Sequence, residues 1–309
     1  MPRTCRCGSR GWADATGAVS AVSAVALPYP YDREYMQLAL VAGLVVGACA
    51  PLIGTFLVQK RLSLMGDGLG HLAFAGVAAG LLLEVWPIWT ALLVAVAGSV
   101  TLEWLRSRGR ASGDLALALF FYGGIAAGVV LVSRAGPGRT NVLPYLFGSI
   151  LTVTAGDVWV VAALGVVIVL TIAVAGRALH AVVLDEESAR VSGIPADMLN
   201  TMLSVLTAVT VVAAMRVVGV LLVAALMVLP VATSRLLAGS FRATMLGAVA
   251  IGMLSVVVGL TAARQWALAP GGSIVLVAAA LFGVATLAGS RWPARRDRRP
   301  SHDILSGPH

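Results

Sequence analysis

Between residues 36 and 288 the chain repeats one pattern, a run of roughly 20 mostly apolar residues followed by a short connection that carries charge. A helix of that length matches the hydrocarbon thickness of a bilayer. In lipid such a segment must satisfy its backbone internally, which an α-helix does. The runs are Met36 to Val58, Leu69 to Val85, Ile88 to Leu105, Leu115 to Val132, Asp157 to Ala175, Leu199 to Ala214, Val217 to Leu237, Ala243 to Ala263 and Ser273 to Ala288. They predict an all-α, polytopic membrane bundle of about nine transmembrane helices, within a range of about eight to ten. Ser133 to Thr154, with two prolines and three glycines, is too polar at first and too short later to span. It reads as an external loop followed by a short interfacial helix.

Of 309 residues 59% are hydrophobic and 12% charged, where a soluble domain has roughly 25% charged residues. The net charge of +8 does not point to nucleic acid, because the cations are spread through short connections and the two tails instead of one soluble face. Lys60/Arg61, Arg106/Arg108/Arg110, Arg177/Arg190, Arg235/Arg242 and the tail from Arg291 to Arg299 fall on alternate connections. The positive-inside rule makes these cytoplasmic, with the C-terminus inside and the chain multi-pass in the cytoplasmic membrane. Residues 1–34 read as a poorly structured leader, 35–290 as the membrane domain, and 291–309 as a basic cytoplasmic tail. Within the leader, Ala13 to Leu27 reads as a diluted signal-like segment or a tenth span. Cys5 and Cys7 are too close for a zinc knuckle and Cys49 lies inside an apolar run, so no cysteine framework exists.

Two ionisable residues break the apolar pattern in Leu64 to Ala79. Asp67 and His71 lie one helical turn apart and share a face. Ionisable groups in a membrane segment are costly and usually mark an ion or substrate path. Oxygen and imidazole nitrogen suit Zn, Mn or Fe(II), and two copies of the pair about a twofold axis supply up to four ligands. On spacing alone, a second reading stands beside this one: Asp67 caps a helix beginning at Gly68 and His71 hydrogen bonds within the bundle.

The only lysine, Lys60, follows Gln59, so the Gly-Lys-Ser/Thr of a phosphate-binding loop is missing and the chain cannot hydrolyse ATP by that route. No zinc-protease pattern occurs, and an intramembrane enzyme would need more convergent polar residues. The longest polar interruption, about 177–199, holds Asp185, Glu186, Glu187, Ala189, Gly193 and Pro195. It predicts a short helix from Glu186 to Ser192 stopped by Gly193, either a solvated connector or a docking element that receives force from another protein. His180 falls in the same connection. Glu84, Glu103, Asp114, Asp157 and Arg216 read as capping or snorkelling groups near membrane ends, with Arg216 at an outer mouth. Gly43/Gly47, Gly76/Gly80 and Gly124/Gly128 repeat the four-residue spacing of close helix packing in lipid.

The segments VQKRLSLMGDGLGHLAFAGVAAG, LPYLFGSILTVTAGD, DEESARVSGIP and RVVGVLLVAALMVLPVATSRLLA, in that order, resemble the permease subunit of zinc/manganese/iron ABC importers over about residues 35–288. Lys60, Arg61, Leu62, Ser63, Asp67 and His71 match the family's pattern. Gly70 departs from it, standing where the family often has a serine. The resemblance implies a fold like that of vitamin and siderophore importers, in which a homodimer of helical bundles forms the path. It places Asp67 and His71 on that path as metal contacts. It makes Asp185, Glu186, Glu187, Ala189, Gly193 and Pro195 the coupling element that docks on a separate ATP-binding subunit. A metal-capturing lipoprotein delivers the ion outside, and the chain is a transporter subunit with no permanently bound cofactor. The expected cargo is a divalent metal ion, zinc ahead of manganese on the affinity order. An ion-coupled secondary transporter, or a permease for a metal chelate or vitamin, is the alternative.

Overall fold

The computed structural model describes residues 31, 33–108, 113–135, 142–151 and 153–291, and every regular element among them is helical. The helices are α1 Glu34–Gln59, α2 Met65–Leu82, α3 Pro87–Ser107, α4 Gly113–Ala135, α5 Leu143–Phe147, α6 Ala155–Leu184, α7 Glu186–Val191, α8 Ala196–Ala214, α9 Val220–Leu237, α10 Phe241–Trp266 and α11 Pro270–Arg291. Among the described residues nine are long and apolar enough to cross a membrane, the number expected. The segment Ala13 to Leu27, the basic tail from residue 292 onward and the side chain of Asp114 lie outside the described residues.

Local chemistry explains the helix starts. α3 opens on Pro87, whose missing N–H is one that a helix start leaves unused anyway. α6 opens on a capping box in which the Asp157 N–H donates to Thr154 Oγ1 at 3.2 Å and the Thr154 N–H donates to Asp157 Oδ2 at 2.9 Å. Two spans differ from expectation. α2 begins four residues before Leu69, because Gly66 and Gly68 are held in place by packing on α9 and α4. α6 runs nine residues past Ala175 to Leu184, since Leu179, Val182 and Val183 continue its buried face and no proline intervenes.

The helices differ sharply in burial. In α1, α2 and α8 the apolar windows are 67%, 67% and 72% buried within the chain, against 17% for α4 and α6, so the first three form the centre and the last two lie at the periphery. α2 packs on α3, α4, α8 and α9, while α1 packs on α6, α8, α9 and α10, which places α8 and α9 between α1 and α2. The small-residue pairs are the contact points. A Cβ on Gly43 would come 2.7 Å from Val256 of α10, one on Gly76 2.6 Å from Ala91 of α3, and one on Gly124 2.8 Å from the His71 carbonyl carbon. Gly76 and Gly124 meet the neighbouring helix at its backbone and Gly43 receives the Val256 side chain, each where a side chain is missing.

Contacts between connections sort them into two ends. At one end Lys60 meets Glu186, and the His180 and Phe241 rings lie 4.1 Å apart. At the other, Arg216 meets Asp157, and the Arg264 guanidinium donates to the Tyr35 hydroxyl. Gly148 and Gly219, at φ 74 and 89, lock α5 against the α8–α9 turn there, a left-handed backbone that glycine adopts without strain. Among the described residues the Lys60/Arg61, Arg177/Arg190 and Arg235/Arg242 connections thus share one end, and the Arg216 and Arg264 connections the opposite end, as the charge alternation predicts.

Candidate functional site

α2 carries Asp67 in its first turn and His71 one turn further. Because the helix begins at Met65, Asp67 is its third residue. The N-cap is Leu64, which makes no side-chain cap, so the reading of Asp67 as a cap for a helix starting at Gly68 is overturned. The carboxylate still sits at the positive end of the helix dipole.

Asp67 lines a cavity of about 350 Å³ with Leu64, Leu117, Ala118, Phe121 and Tyr122, the last four from α4. His71 packs edge-on to Phe121, ring centroids 4.4 Å apart at 76°. Neither ionisable side chain has a hydrogen-bond or ion-pair partner among the described residues, so the expectation of a bundle hydrogen bond for His71 gives way to an aromatic contact. A rise of about 1.5 Å per residue puts the two Cα atoms about 6 Å apart along the axis, close enough for both side chains to reach one ion. Among the described residues there is no group of three or more His, Cys, Asp or Glu that could hold a metal ion.

Glycines set the wall of the cavity. Gly124 lets α4 rest on the His71 backbone, and Gly68 lets Leu117 approach α2. Gly70, the position expected to be a serine, is pressed on α9: a Cβ there would lie 3.3 Å from the Val220 carbonyl oxygen.

Asp185 ends α6 and caps α7. Its Oδ1 accepts the Glu187 and Ser188 N–H groups at 3.1 Å, and its Oδ2 accepts the Ser188 hydroxyl at 2.6 Å. The Ser188 hydroxyl first, then the Ser188 and Glu187 amides, hold the Asp185 carboxyl below the usual carboxylate range. Glu186 Oε2 lies 3.1 Å from Lys60 Nζ and Oε1 2.9 Å from Arg190 Nη2, which also reaches Asp197 Oδ1 at 2.6 Å. Lys60 donates as well to Asn200 Oδ1 on α8. Partial burial pushes the Glu186 carboxyl up, but the hydrogen bonds from Lys60 and Asn200 and the charges of Lys60 and Arg190 outweigh it and leave it below its ordinary value. α7 ends at Val191 with Ser192 as its C-cap and Gly193 at φ 78, one residue short of the expected end and stopped by the glycine as predicted.

The expected coupling residues divide by direction. Asp185 and Glu186 fasten α7 and Ala189 is buried, whereas Glu187, Gly193 and Pro195 are exposed. Leu184, Val191 and Met198 join them as exposed apolar groups, Val191 at 90%. Sequence reasoning missed Val191 and Met198, although apolar residues in a polar connection were the signal. It also placed His180 in the connection, whereas His180 lies in α6 against Phe241. At the opposite end Asp157 caps α6, as expected, and also pairs with Arg216 at 2.6 Å beneath the Tyr145 ring. Glu103, expected at an interface, is buried between Arg106 and Ser204 at 2.9 and 3.2 Å.

Residues 32–289 match the profile of a family described as the ABC 3 transport family. A Treponema pallidum protein named "Probable metal transport system membrane protein" is 35% identical over 79% of this chain and 91% of its own length. The manganese transport system membrane protein MntC of Halalkalibacterium halodurans is 30% identical over 82% of this chain and 86% of its own. The high-affinity zinc uptake system membrane protein ZnuB of Haemophilus influenzae is 31% identical over 81% and 95% respectively. Among solved structures, PsaBC from Streptococcus pneumoniae in complex with Fab contains a chain that superposes with TM-score 0.73 at 29% identity, covering 81% of this chain and 90% of that one. An inward-facing metal-chelate type ABC transporter shares the fold at TM-score 0.64 and 17% identity, covering 89% of this chain and 96% of that one.

Proposed function

This chain belongs to the ABC 3 transport family, and on that premise we propose that it is the membrane permease of an ATP-driven importer for a divalent transition-metal ion. The observation that carries this reading is the pair Asp67 and His71 on successive turns of α2, Asp67 lining a cavity of about 350 Å³ and His71 against Phe121 of its wall, neither with a hydrogen-bond or ion-pair partner among the described residues. A carboxylate left unpaired in a cavity, with an unpaired imidazole one helical turn away, is suited to an ion that arrives and leaves. Relatives named for manganese and for zinc support a metal cargo. Zinc stands ahead of manganese at equal availability on the affinity order of such ligands.

In this reading the chain is not itself an enzyme, and ATP is bound by a separate cytoplasmic subunit. α7, with exposed Glu187, Val191, Gly193 and Pro195, is the coupling element that docks there, held in shape by Asp185, Glu186 and Ala189. A metal-binding lipoprotein delivers the ion on the opposite side, and the C-terminus is cytoplasmic. A second copy of the chain completes the site: Leu64 and Tyr122 on the rim are 64% and 69% exposed, so the cavity opens at the surface of the single chain. Two pairs about a twofold axis supply up to four ligands. Transport then proceeds by alternating access, the docked subunits moving α7 and the paired bundles opening to one side and then the other. Two weak ligands per chain suit transient binding, strong enough to take the ion and weak enough to release it.

The test is uptake of labelled Zn(II) and Mn(II) into cells carrying the complete system with wild type, Asp67→Ala or His71→Ala, at equal permease level in the membrane. Both variants are expected to lose most uptake. Undiminished uptake in both would falsify the ligand assignment, and uptake indifferent to ATP depletion would favour an ion-coupled carrier.

A further inference from the structure

Lys60 is the only lysine in the chain, and it lies where three elements converge. It caps the C-terminus of α1, its Nζ is 3.1 Å from Glu186 Oε2 of α7, and it donates to Asn200 Oδ1 of α8. Its side chain is 13% exposed and that of Glu186 34%, while Asn200 is buried, so the lysine end of the network is shielded more than a surface ion pair.

The connection from Lys60 to α2 is short and stiff. Arg61 follows at φ 61, a left-handed conformation that a non-glycine residue adopts only when its surroundings impose it. The Leu62 N–H donates to the Leu57 carbonyl at 2.8 Å and the Arg61 N–H to Val58 at 3.2 Å, closing the end of α1. The Met65 N–H donates to Leu62 at 3.0 Å and the Gly68 N–H to Leu64 at 3.2 Å, starting α2. Hydrogen bonds thus fix both ends of the short connection between Lys60 and the turn that carries Asp67. α8 and α9 lie between α1 and α2, so this connection is the direct covalent link between the two sides of the bundle at that end.

We propose that Lys60 is the positioning residue that transmits displacement of α7 to the helix bearing Asp67 and His71, gripping Glu186 and Asn200 and moving the stiff α1–α2 turn with them. The inference rests on the reading of α7 as the coupling element. A cation with three rotatable donors suits a joint that must stay engaged while its partners shift. Arginine keeps the charge but carries a planar fork, so it retains part of the function.

The test uses the whole complex of permease, its ATP-hydrolysing subunit and its binding protein in vesicles, with labelled Zn(II) uptake and ATP hydrolysis measured together. In Lys60→Met, metal moved per ATP is expected to fall about tenfold while ATP hydrolysis stays within about twofold of wild type, as loss of charge-assisted bonds implies. Lys60→Arg should keep the ratio within about threefold, and the swap Lys60→Glu with Glu186→Lys should exceed Lys60→Glu alone. A metal-to-ATP ratio unchanged in Lys60→Met, whether both activities persist or both fall together, overturns the proposal. Wild-type uptake that does not depend on ATP would overturn the importer reading as well, which separates the two failures.

Discussion

Arg216 Nη2 lies 2.6 Å from Asp157 Oδ2, with 13% and 2% of the two side chains exposed, at the end of the bundle opposite Lys60. Asp157 Oδ2 also accepts from the Thr154 N–H and hydroxyl at 2.9 Å. One carboxylate oxygen therefore joins the start of α6 to the α8–α9 turn. Removing one partner leaves a buried charge, a loss on the order of 3 kcal/mol. Asp157→Ala should lower the melting midpoint of the purified permease markedly, and Asp157→Ala with Arg216→Met should recover part of it. A double variant no more stable than Asp157→Ala would show that the pair does not act as a unit.

Neighbouring glycines on α4 should behave oppositely. A Cβ on Gly124 would come 2.8 and 2.9 Å from the His71 carbonyl carbon and oxygen, whereas one on Gly123 meets nothing within 4 Å. Gly124→Ala must push α4 away from α2 and disturb the cavity wall, while Gly123→Ala replaces glycine in a helix interior and should stabilise by about 0.5–1 kcal/mol. Metal uptake at matched membrane levels is the measurement. Equal uptake by both variants would contradict the close α2–α4 contact.

Phe121 holds the His71 ring edge-on at 4.4 Å. Aromatic pairs of this geometry contribute about 0.5–1.5 kcal/mol, so Phe121→Leu should raise the metal concentration for half-maximal uptake roughly two- to tenfold. Phe121→Tyr keeps the ring and should stay close to wild type. The discriminating result is the half-saturation constant, since a folding defect would reduce maximal uptake instead.

Asp185 gives the capping of α7 a pH dependence. Its carboxyl is held below the ordinary carboxylate value, so its contribution is fully present above that value and is lost as the pH falls through the lowered one. The difference in melting midpoint between wild type and Asp185→Ala should be full at neutral pH and should close below about pH 4. A difference that persists into stronger acid would mean that the carboxylate is not what caps the helix.

Much of the site was legible because it is local. Asp67 and His71 share a face through one helical turn, and Gly193 stops a helix built by its immediate neighbours. The start of α2 was not legible, because the apolar run begins only at Leu69, and it is the packing of Ala224, Met227 and Leu117 on Gly66 and Gly68 that shows the helix already formed there. Nor were the partners of the isolated charges. Lys60 meets Asn200, 140 residues away, and Arg216 meets Asp157, 59 residues away. Sequence reasoning treated Arg216 and Asp157 as separate interfacial groups, since nothing in their local surroundings names a distant partner.

The amino-acid order alone determined that this chain is an all-helical membrane bundle with alternating basic connections. A bilayer imposes that requirement one segment at a time, through the length and polarity of each run. Only the tertiary structure decided that α8 and α9 separate α1 from α2, that Phe121 faces His71, and that Lys60 pairs with Glu186 of α7. Those are matters of which backbones can approach closely and which charges are desolvated together, and both depend on neighbours that sequence distance does not reveal.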